Sequence, residues 1–506
     1  MPTLHSVHSL GSGYGRRRYN RLMDPLLERV PPAIAAMCRD LREAGGRAFL
    51  VGGAVRDLIL HRPSHDFDIE VFGLSIERLA PLLERHGRVD AVGKAFTVLK
   101  LSGLVGFDGI VDVAIPRRDS KAGPGHRGIV VAGDPFLSVK EAARRRDFTI
   151  NAMLLDPLSG ELMDPFGGRA DLDDRVLRVV DAQSFGEDPL RALRAVQIAA
   201  RYALTPSPET TQVCQEMPLA ELPPERIFAE IEKLLLSAPH PSHGWTLMER
   251  WGMLPVLAPE LAALLTTPQD PGWHPEGDVW THTLLVLDEA ARLRDDLDRP
   301  RALTLMLAAL CHDLGKPSTT AFVDGRIRSR GHEEAGVAPT ESLLDRWNVH
   351  SLLGYDVRRA VLALVAHHLK PGLLYDARST VSEGAIRRLA AKCDPELLYR
   401  VARADCLGRR GDFEPLAMEW FIARVRELEA HLPTTPLVMG RDLLAMGLSP
   451  GPRIGRIIAR VLERQIEGEI TTREAALEFA RQLAAADRDA TSGGAERLKG
   501  GWSGID

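Results

Sequence analysis

Between Pro31 and about Val180 the hydrophobic pattern keeps changing its period. Short runs rich in β-branched and aromatic residues have strand length: AFLVGG (Ala48–Gly53), DFDIEVFG (Asp66–Gly73), FTVLKLSG (Phe96–Gly103) and GIVDVAI (Gly109–Ile115). IERLAPLLERHG (Ile76–Gly87) instead spaces its apolar residues for a helix. From Asp181 onward strand signals vanish. PLRALRAVQIAARYAL, ERIFAEIEKLLLS, RALTLMLAALCHDLG, YDVRRAVLALVAHHL and RIGRIIARVLERQIEG all repeat apolar residues at i, i+3 and i+4. The expected fold is α+β, a head with a mixed sheet and helices followed by all-α modules. Stretches rich in Pro, Gly and Asp at Thr266–Asp278 and His431–Asp442 mark boundaries. They suggest a head over 31–180, a helical neck over 181–270, a third module over 271–410 and a helical tail over 411–485. Residues 1–30, basic and without periodicity, and 486–506 are expected to be disordered tails.

In the second strand, a period of two sends Asp66 and Asp68 to one face while Phe67 and Ile69 face the core. Two carboxylates on one face suit a divalent cation. Asp112 of GIVDVAI is a third acid, set among apolar residues in another strand. Three convergent carboxylates are what two-metal phosphoryl or nucleotidyl transfer needs: one ion activates the attacking hydroxyl, the other neutralises the leaving pyrophosphate. Asp-x-Asp is also a common turn sequence, so the spacing alone does not decide. VGGAVRD just upstream adds weight. Gly52 and Gly53 end a strand there and Arg56 follows at a helix start, and such glycines let backbone N–H groups approach triphosphate oxygens.

Further along, ARRRDFTINAMLLDP (Ala143–Pro157), DPFGGRADLDDRVLRVV (Asp164–Val180) and EDPLRALRAVQIAARYAL (Glu187–Leu204) follow in order. Together with the first motifs they resemble class II tRNA nucleotidyltransferases, the CCA-adding enzymes of the DNA polymerase β superfamily. The resemblance is dense from Phe49 to Leu204 and looser beyond. It implies a polymerase-β-like head in which Asp66 and Asp68 bind two catalytic Mg²⁺ ions and Asp112 completes the carboxylate set. It also implies that Gly52, Gly53, Arg56, Arg146, Asp147, Asn151, Asp188, Arg191 and Arg194 contact the nucleotide. The partners it implies are CTP, ATP and the tRNA 3′ end. Asp188 and Arg191 lie three apart on an expected helix, an acceptor beside a donor. Cytosine and adenine each present an amino donor next to a ring acceptor, so such a pair accepts CTP and ATP and rejects UTP and GTP; an ordinary surface ion pair has the same spacing. Two positions depart from the family: His61 stands where glycine is common, and Gln197–Ile198 where Arg–Phe is common. The stretch from Asp112 to Arg146, rich in Gly, Arg and Lys, fits a mobile loop near the site, and the product remains open among CCA, CC and A.

The 16 histidines include an ordered set on apolar helices: His282, His312 followed by Asp313, and later Asp405. A His–Asp dyad at the end of so hydrophobic a run is costly to bury unless a metal pairs with it. The order H…HD…D resembles the HD phosphohydrolase superfamily, with His332 and His367 as candidates for a second metal. The resemblance implies a divalent transition metal of unknown identity and phosphatase or 2′,3′-cyclic phosphodiesterase activity through a metal-activated water. A domain kept only for shape or RNA contact is the alternative. In the tail, Arg453, Arg456, Arg460 and Arg464 form one helical stripe that suits tRNA phosphates, though Glu463 and Glu467 make an ion-paired face as good a reading.

Composition narrows the field. With 506 residues, 45% hydrophobic and 26% charged, the chain is long enough for three or four packed units. Lys plus Arg number 64 against 69 Asp plus Glu, so any polyanion must be held by local patches. Five scattered cysteines, never in a Cys-x-x-Cys pair, argue against a disulfide framework and for a reducing cytoplasm. No apolar run is long enough to span a membrane, and oligomeric state is not legible. The rival readings are a bacterial poly(A) polymerase, a metal phosphohydrolase with a nucleotide-sensing head, and an RNA-binding adaptor.

Overall fold

The computed structural model describes residues 26–63, 66–91, 98–121, 129–430 and 435–496. The chain divides into two compact units, Met1–Glu230 with Leu247–Met253, and Ile231–Thr246 with Leu254–Asp506.

The first unit is built on a seven-stranded sheet. In chain order it contains helix α1 (Pro32–Glu43), β1 (Arg47–Val51), α2 (Gly53–Ile59), β2 (Phe67–Phe72), α3 (Ile76–Leu83), β3 (Arg88–Ala91), β4 (Val98–Ser102) and β5 (Ile110–Ala114). Then come β6 (Arg117–Lys121), β7 (Ile129–Gly133), α4 (Val139–Arg144), β8 (Leu154–Leu155) and β9 (Leu162–Met163). The sheet order is β3-β4-β5-β2-β1-β8-β9. Every neighbouring pair is antiparallel except β2–β5, whose parallel register sets Asp68 opposite Asp112. Phe67, Ile69 and Val71 of β2 are buried on the core face, where the Phe67 ring meets Phe107 edge-on. That burial fixes the register, because a slip of one residue would move the whole apolar set to the other face.

The four strands anticipated from the hydrophobic runs are present, but the segment read as a mobile loop is more ordered than expected. Its described parts form the hairpin β6–β7, paired from Arg117↔Gly133 to Lys121↔Ile129, and α4 with a Ser138–Glu141 capping box; residues 122–128 lie outside the described set. The first expected tail likewise falls almost wholly outside it.

Helix α5 (Leu190–Tyr202) follows, and a short parallel pair, β10 (Val176–Leu177) with β11 (Thr205–Pro206), brackets it. The second unit contains α6 (Val279–Ala291), α7 (Arg299–Cys311), α8 (Val357–His367) and α9 (Pro395–Leu407), then α10 (Pro452–Ile466) and α11 (Arg473–Glu496). Two departures from the expected all-helical course stand out. A hairpin, β12 (Thr320–Val323) with β13 (Arg326–Ser329), interrupts the helices, and its Asp324–Gly325 turn is a two-residue hairpin signal of the strongest kind. Helix α11 also runs eleven residues past 485, since propagating an existing helix needs only one added hydrogen bond per residue.

His61 ends α2 in the left-handed conformation, φ +57°, and the Arg62 N–H donates to the Asp57 carbonyl at 2.9 Å. This is the helix-ending position that favours glycine, which accounts for the family preference there. We expect His61→Gly to raise the stability of this unit by about 0.5 to 1 kcal/mol, since relief of the left-handed strain exceeds the entropy glycine adds to the unfolded chain. A shift of its urea midpoint to lower concentration would contradict this.

Candidate active sites

The head site starts from the β2–β5 register. Directly paired residues of neighbouring strands share a face, so Asp68 and Asp112 leave the sheet on the same side, and Asp66, two residues before Asp68, joins them. Asp66 and Asp68 are exposed and Asp112 is half-buried. Lys100, opposite Asp112 on β4, holds its Nζ 3.2 Å from the Asp112 carboxylate. Partial burial raises the Asp68 pKa; Arg146 opposes this, and the neighbouring charges of Asp112 and Asp66 reinforce it, so the carboxyl ends above its usual range. An all-oxygen set of mutually repelling carboxylates fits a hard divalent cation such as Mg²⁺.

Gly52 closes β1 at φ +71°. A Cβ there would stand 3.3 Å from both Arg146 Nη1 and Asp68 Oδ2. The glycine thus lets a guanidinium and a metal-ligand candidate flank one turn. Arg146 is held from behind: its Nη2 donates to Glu70 at 3.4 Å, and Arg145 Nη2 donates to the other Glu70 oxygen at 3.0 Å. Glu70 is 1% exposed. It was missed in the sequence although its signal was there, since 66, 68 and 70 continue one period-two series.

The residues expected around the nucleotide separate into two groups. Arg56 is buried, donating to Asn151 Oδ1 at 2.7 Å and to Asp57 at 3.0 Å, bonding the Tyr202 hydroxyl and stacking 4.0 Å over its ring. Its guanidinium is committed to internal partners, contrary to the expected direct contact. Asn151 in turn donates to Asp147 at 3.1 Å, and Asp147 accepts from Arg194 at 3.0 Å. Burial pushes the Asp147 pKa up, but Arg194 and Asn151 outweigh it and hold the carboxyl below its usual range. A continuous polar chain therefore links α2, the turn at Thr149–Asn151 and α5. Gln197 and Ile198, the second departure from the family, are both buried.

The Asp188–Arg191 geometry differs from expectation. Helix α5 begins at Leu190, so Asp188 lies before it, accepting from the Leu190 N–H at 3.2 Å and from Arg226 at 2.9 Å. Arg191 donates to the Ser184 and Arg145 carbonyls at 2.8 and 2.9 Å. Spacing of three gives one face only within a helix, and here the helix starts at Leu190, after its Pro189 cap, two residues past Asp188.

The second site is assembled by helix ends. His282 of α6, His312 and Asp313 after α7, His332, His368 after α8 and Asp405 of α9 converge. His282 Nε2 lies 3.0 Å from Asp405, His312 Nε2 3.2 Å from Asp313, and His332 Nε2 3.2 Å from the other Asp313 oxygen and 3.3 Å from His368 Nε2. The Nδ1 atoms of His312, His332 and His368 each lie 2.7–2.8 Å from the carbonyl three residues back, of Ala309, Ser329 and Val365. A carbonyl can only accept, so each Nδ1 donates and each Nε2 presents its lone pair inward. Two lone pairs 3.3 Å apart repel unless a proton or a metal ion lies between them. His312 Nε2 is buried without a hydrogen bond, and Asp313 Oδ2 has only ion-pair contacts, with Lys316 Nζ at 2.8 Å and with His312 Nε2. An N/O donor set with an orphaned imidazole acceptor fits a divalent transition metal.

His368 belongs to this group and His367 does not: His367 is the last residue of α8 and half-buried. Adjacent helical residues point about 100° apart, so only one of two consecutive histidines can face the cluster. Glu276 was also missed. Its Oε1 lies 2.9 Å from both His282 Nδ1 and His274 Nδ1, and its Oε2 accepts from the Arg410 N–H at 3.1 Å. Burial pushes Glu276 up, but His282 and its other donors bring it down to about 2. Lys316, one helical turn after Asp313, is buried with Nζ 2.8 Å from it. In the tail stripe, Arg453 bonds the Ala484 carbonyl and Arg464 pairs with Glu469, while Arg456 and Arg460 are exposed and have no ion pair among the described residues.

Comparison with known proteins matches three parts of the chain. Residues 48–178 match the Poly A polymerase head domain, 204–265 the probable RNA and SrmB-binding site of polymerase A, and 279–410 the HD domain. The chain is 36% identical over 429 residues to the Multifunctional CCA protein of Xanthomonas campestris pv. campestris (strain B100), covering 82% of this chain and 96% of that one. It is 35% identical over 433 residues to the Multifunctional CCA protein of Methylococcus capsulatus, covering 82% and 93%. The structure of the Bacillus stearothermophilus CCA-adding enzyme in complex with CTP shares the fold at TM-score 0.59 and 22% identity, over 91% of this chain and 99% of that one. The Thermotoga maritima CCA-adding enzyme complexed with tRNA does so at TM-score 0.53 and 21% identity, over 92% and 98%. Identity of this extent through both sites and the segments around them means that the chain belongs to the family of multifunctional CCA proteins.

Proposed function

We propose that the chain adds CCA to tRNA 3′ ends from CTP and ATP without a nucleic-acid template, and that its second site hydrolyses phosphate esters at RNA ends. The observation that carries the first activity is the Asp68↔Asp112 register beside the Gly52 turn. Asp66, Asp68 and Asp112 would hold the Mg²⁺ ions, which supply hydroxyl activation and charge neutralisation on the leaving pyrophosphate. Arg146, fixed by Glu70, meets triphosphate charge across the glycine turn. The Arg56–Asn151–Asp147–Arg194 chain keeps the wall of the site rigid, so that geometry and not side-chain search sets the approach of the 3′ hydroxyl to the α-phosphorus. Asp188 already accepts from a guanidinium N–H. Reading a cytosine or adenine amino group asks the same of it.

At the second site His282, His312, Asp313 and Asp405 would hold one divalent metal, and Asp313, His332 and His368 a second. Bound metal supplies a nucleophilic water at neutral pH. Glu276 keeps the His282 ring in its ligand orientation, and Lys316 offsets the charge of Asp313. Phosphomonoesters and 2′,3′-cyclic phosphates at RNA ends are the substrates in view. Five free cysteines suit a reducing cytoplasm, and no described helix is long and apolar enough to cross a membrane.

The deciding experiment supplies Mg²⁺, one NTP at a time and tRNA transcripts ending at the discriminator base, at C or at CC. Stepwise C, C, A addition is expected; long A tails on unrelated RNA would make the chain a poly(A) polymerase instead. Asp66→Ala should lower incorporation at least about 100-fold while leaving hydrolysis intact. His312→Ala should do the reverse and abolish the rise in melting temperature that added Mn²⁺ or Ni²⁺ gives the wild type. Glu70→Gln, which frees Arg145 and Arg146, should raise KM for the nucleotide about tenfold with kcat less affected. An unchanged KM would remove Glu70 from the site.

A further inference from the structure

The β12–β13 hairpin stands in sequence between two arms of the histidine–aspartate cluster. Asp313 and Lys316 precede it. His332 follows it and bonds through Nδ1 to the carbonyl of Ser329, the last residue of β13. The Thr320 and Ser329 hydroxyls, 2.7 Å apart, close its base. Its two turn residues, Asp324 and Gly325, have φ of +54° and +74°, the turn geometry that matches strand twist and stiffens a hairpin.

What this arm displays is unusual for the chain. Arg326 and Arg330 are exposed and Arg328 half-buried. None of the three side chains forms a hydrogen bond or ion pair among the described residues. Elsewhere in the same unit Arg358 and Arg400 each engage two carboxylates. Three arginines stand against one aspartate in the twelve residues Thr319–Arg330, in a protein whose net charge is −5. The register places Arg326 and Arg328 on one face with Ala321 and Val323. Phe322, 76% exposed, lies on the other face. Exposed aromatic and unpaired guanidinium groups on one stiff element are the two components of single-strand binding: stacking that tolerates any base, and salt-sensitive phosphate contacts.

We propose that this hairpin is an RNA-binding arm of the second site. Its arginine face takes the phosphates adjoining the terminal ester, and Phe322 takes a base of the strand where it passes round the hairpin edge. The inference rests on the reading of the cluster as a phosphohydrolase of RNA ends, and it makes an oligonucleotide end, not a free nucleotide, the preferred substrate.

The test compares hydrolysis of a trinucleotide ending in a 2′,3′-cyclic phosphate with hydrolysis of 2′,3′-cyclic AMP by the metal-loaded full chain. In the Arg326→Ala, Arg328→Ala, Arg330→Ala triple variant, KM for the trinucleotide should rise on the order of tenfold while KM for cyclic AMP changes less than about twofold. The slope of log KM against log salt should fall by about 0.7 for each phosphate that the variant no longer neutralises. Phe322→Ala should leave that slope unchanged and weaken photocrosslinking of the trinucleotide to the hairpin peptide. Equal shifts for both substrates, or none for either, would overturn the arm. If the wild type hydrolyses neither compound, the phosphohydrolase reading fails separately, and the crosslink alone decides: label on the Thr320–Arg330 peptide upholds the arm, label elsewhere only removes it.

Discussion

Acceptors held facing acceptors are the constraint on which both sites depend. In the head, Asp66, Asp68 and Asp112 leave one sheet face together, and burial, with their crowding added, lifts the Asp68 pKa. In the second unit, imidazole lone pairs and carboxylate oxygens meet at 3.2–3.3 Å with some of them unbonded. Such arrangements are unfavourable by themselves and persist only where the scaffold over-determines them. The scaffolding differs in kind. A strand register fixes the carboxylates, and the apolar residues of β2 fix that register. The histidines are fixed one by one, His312 and His368 through Nδ1 to the ends of their own helices, His332 to Ser329 of β13 and His282 beside Glu276, so several separate elements must pack correctly before the cluster exists.

That difference governs what could be read from the sequence. Period two is local, and it placed Asp66 and Asp68 on one face; continued by one step it would have added Glu70. The His–Asp dyad was legible because polar residues ending an apolar helix need an explanation. The choice of His367 over His368 failed because the phase of α8 depends on which face packs inward, and apolar residues nearly surround that helix. Glu276 sat in a stretch read as a linker, and nothing local says that a linker carboxylate will be buried against two imidazoles. The reading of strands from Asp181 onward failed for two reasons: β11 is two residues long, too short for alternation to register, and for β12 and β13 the Asp324–Gly325 turn signal was passed over.

Arginines show the limits of reading charge as contact. Arg56, Arg191 and Arg194 were all expected to face a nucleotide. Arg56 lies inside, against Tyr202 and Asn151, and Arg191 is bonded to two backbone carbonyls. A guanidinium has five donors, so it serves as readily to tie three elements together as to bind phosphate. Sequence motifs record that an arginine is needed; they do not record which of these uses needs it.

The sites also divide labour between fixed and available charge. Around the head, nearly every guanidinium is engaged: Arg145 and Arg146 by Glu70, Arg194 by Asp147, Arg226 by Asp188. A positive field built this way is pre-organised, and no side chain has to be recruited when a triphosphate arrives, which lowers the reorganisation cost of transfer. Nucleotide selection by a rigid pocket demands this. The activity on RNA ends proposed for the second site would demand the opposite, unpaired cations and an aromatic surface indifferent to base identity, and the β12–β13 hairpin carries both. On the proposed functions, the contrast between paired and unpaired arginines follows from what each site would discriminate: one among four nucleotides, the other only a terminal phosphate from the rest of the strand.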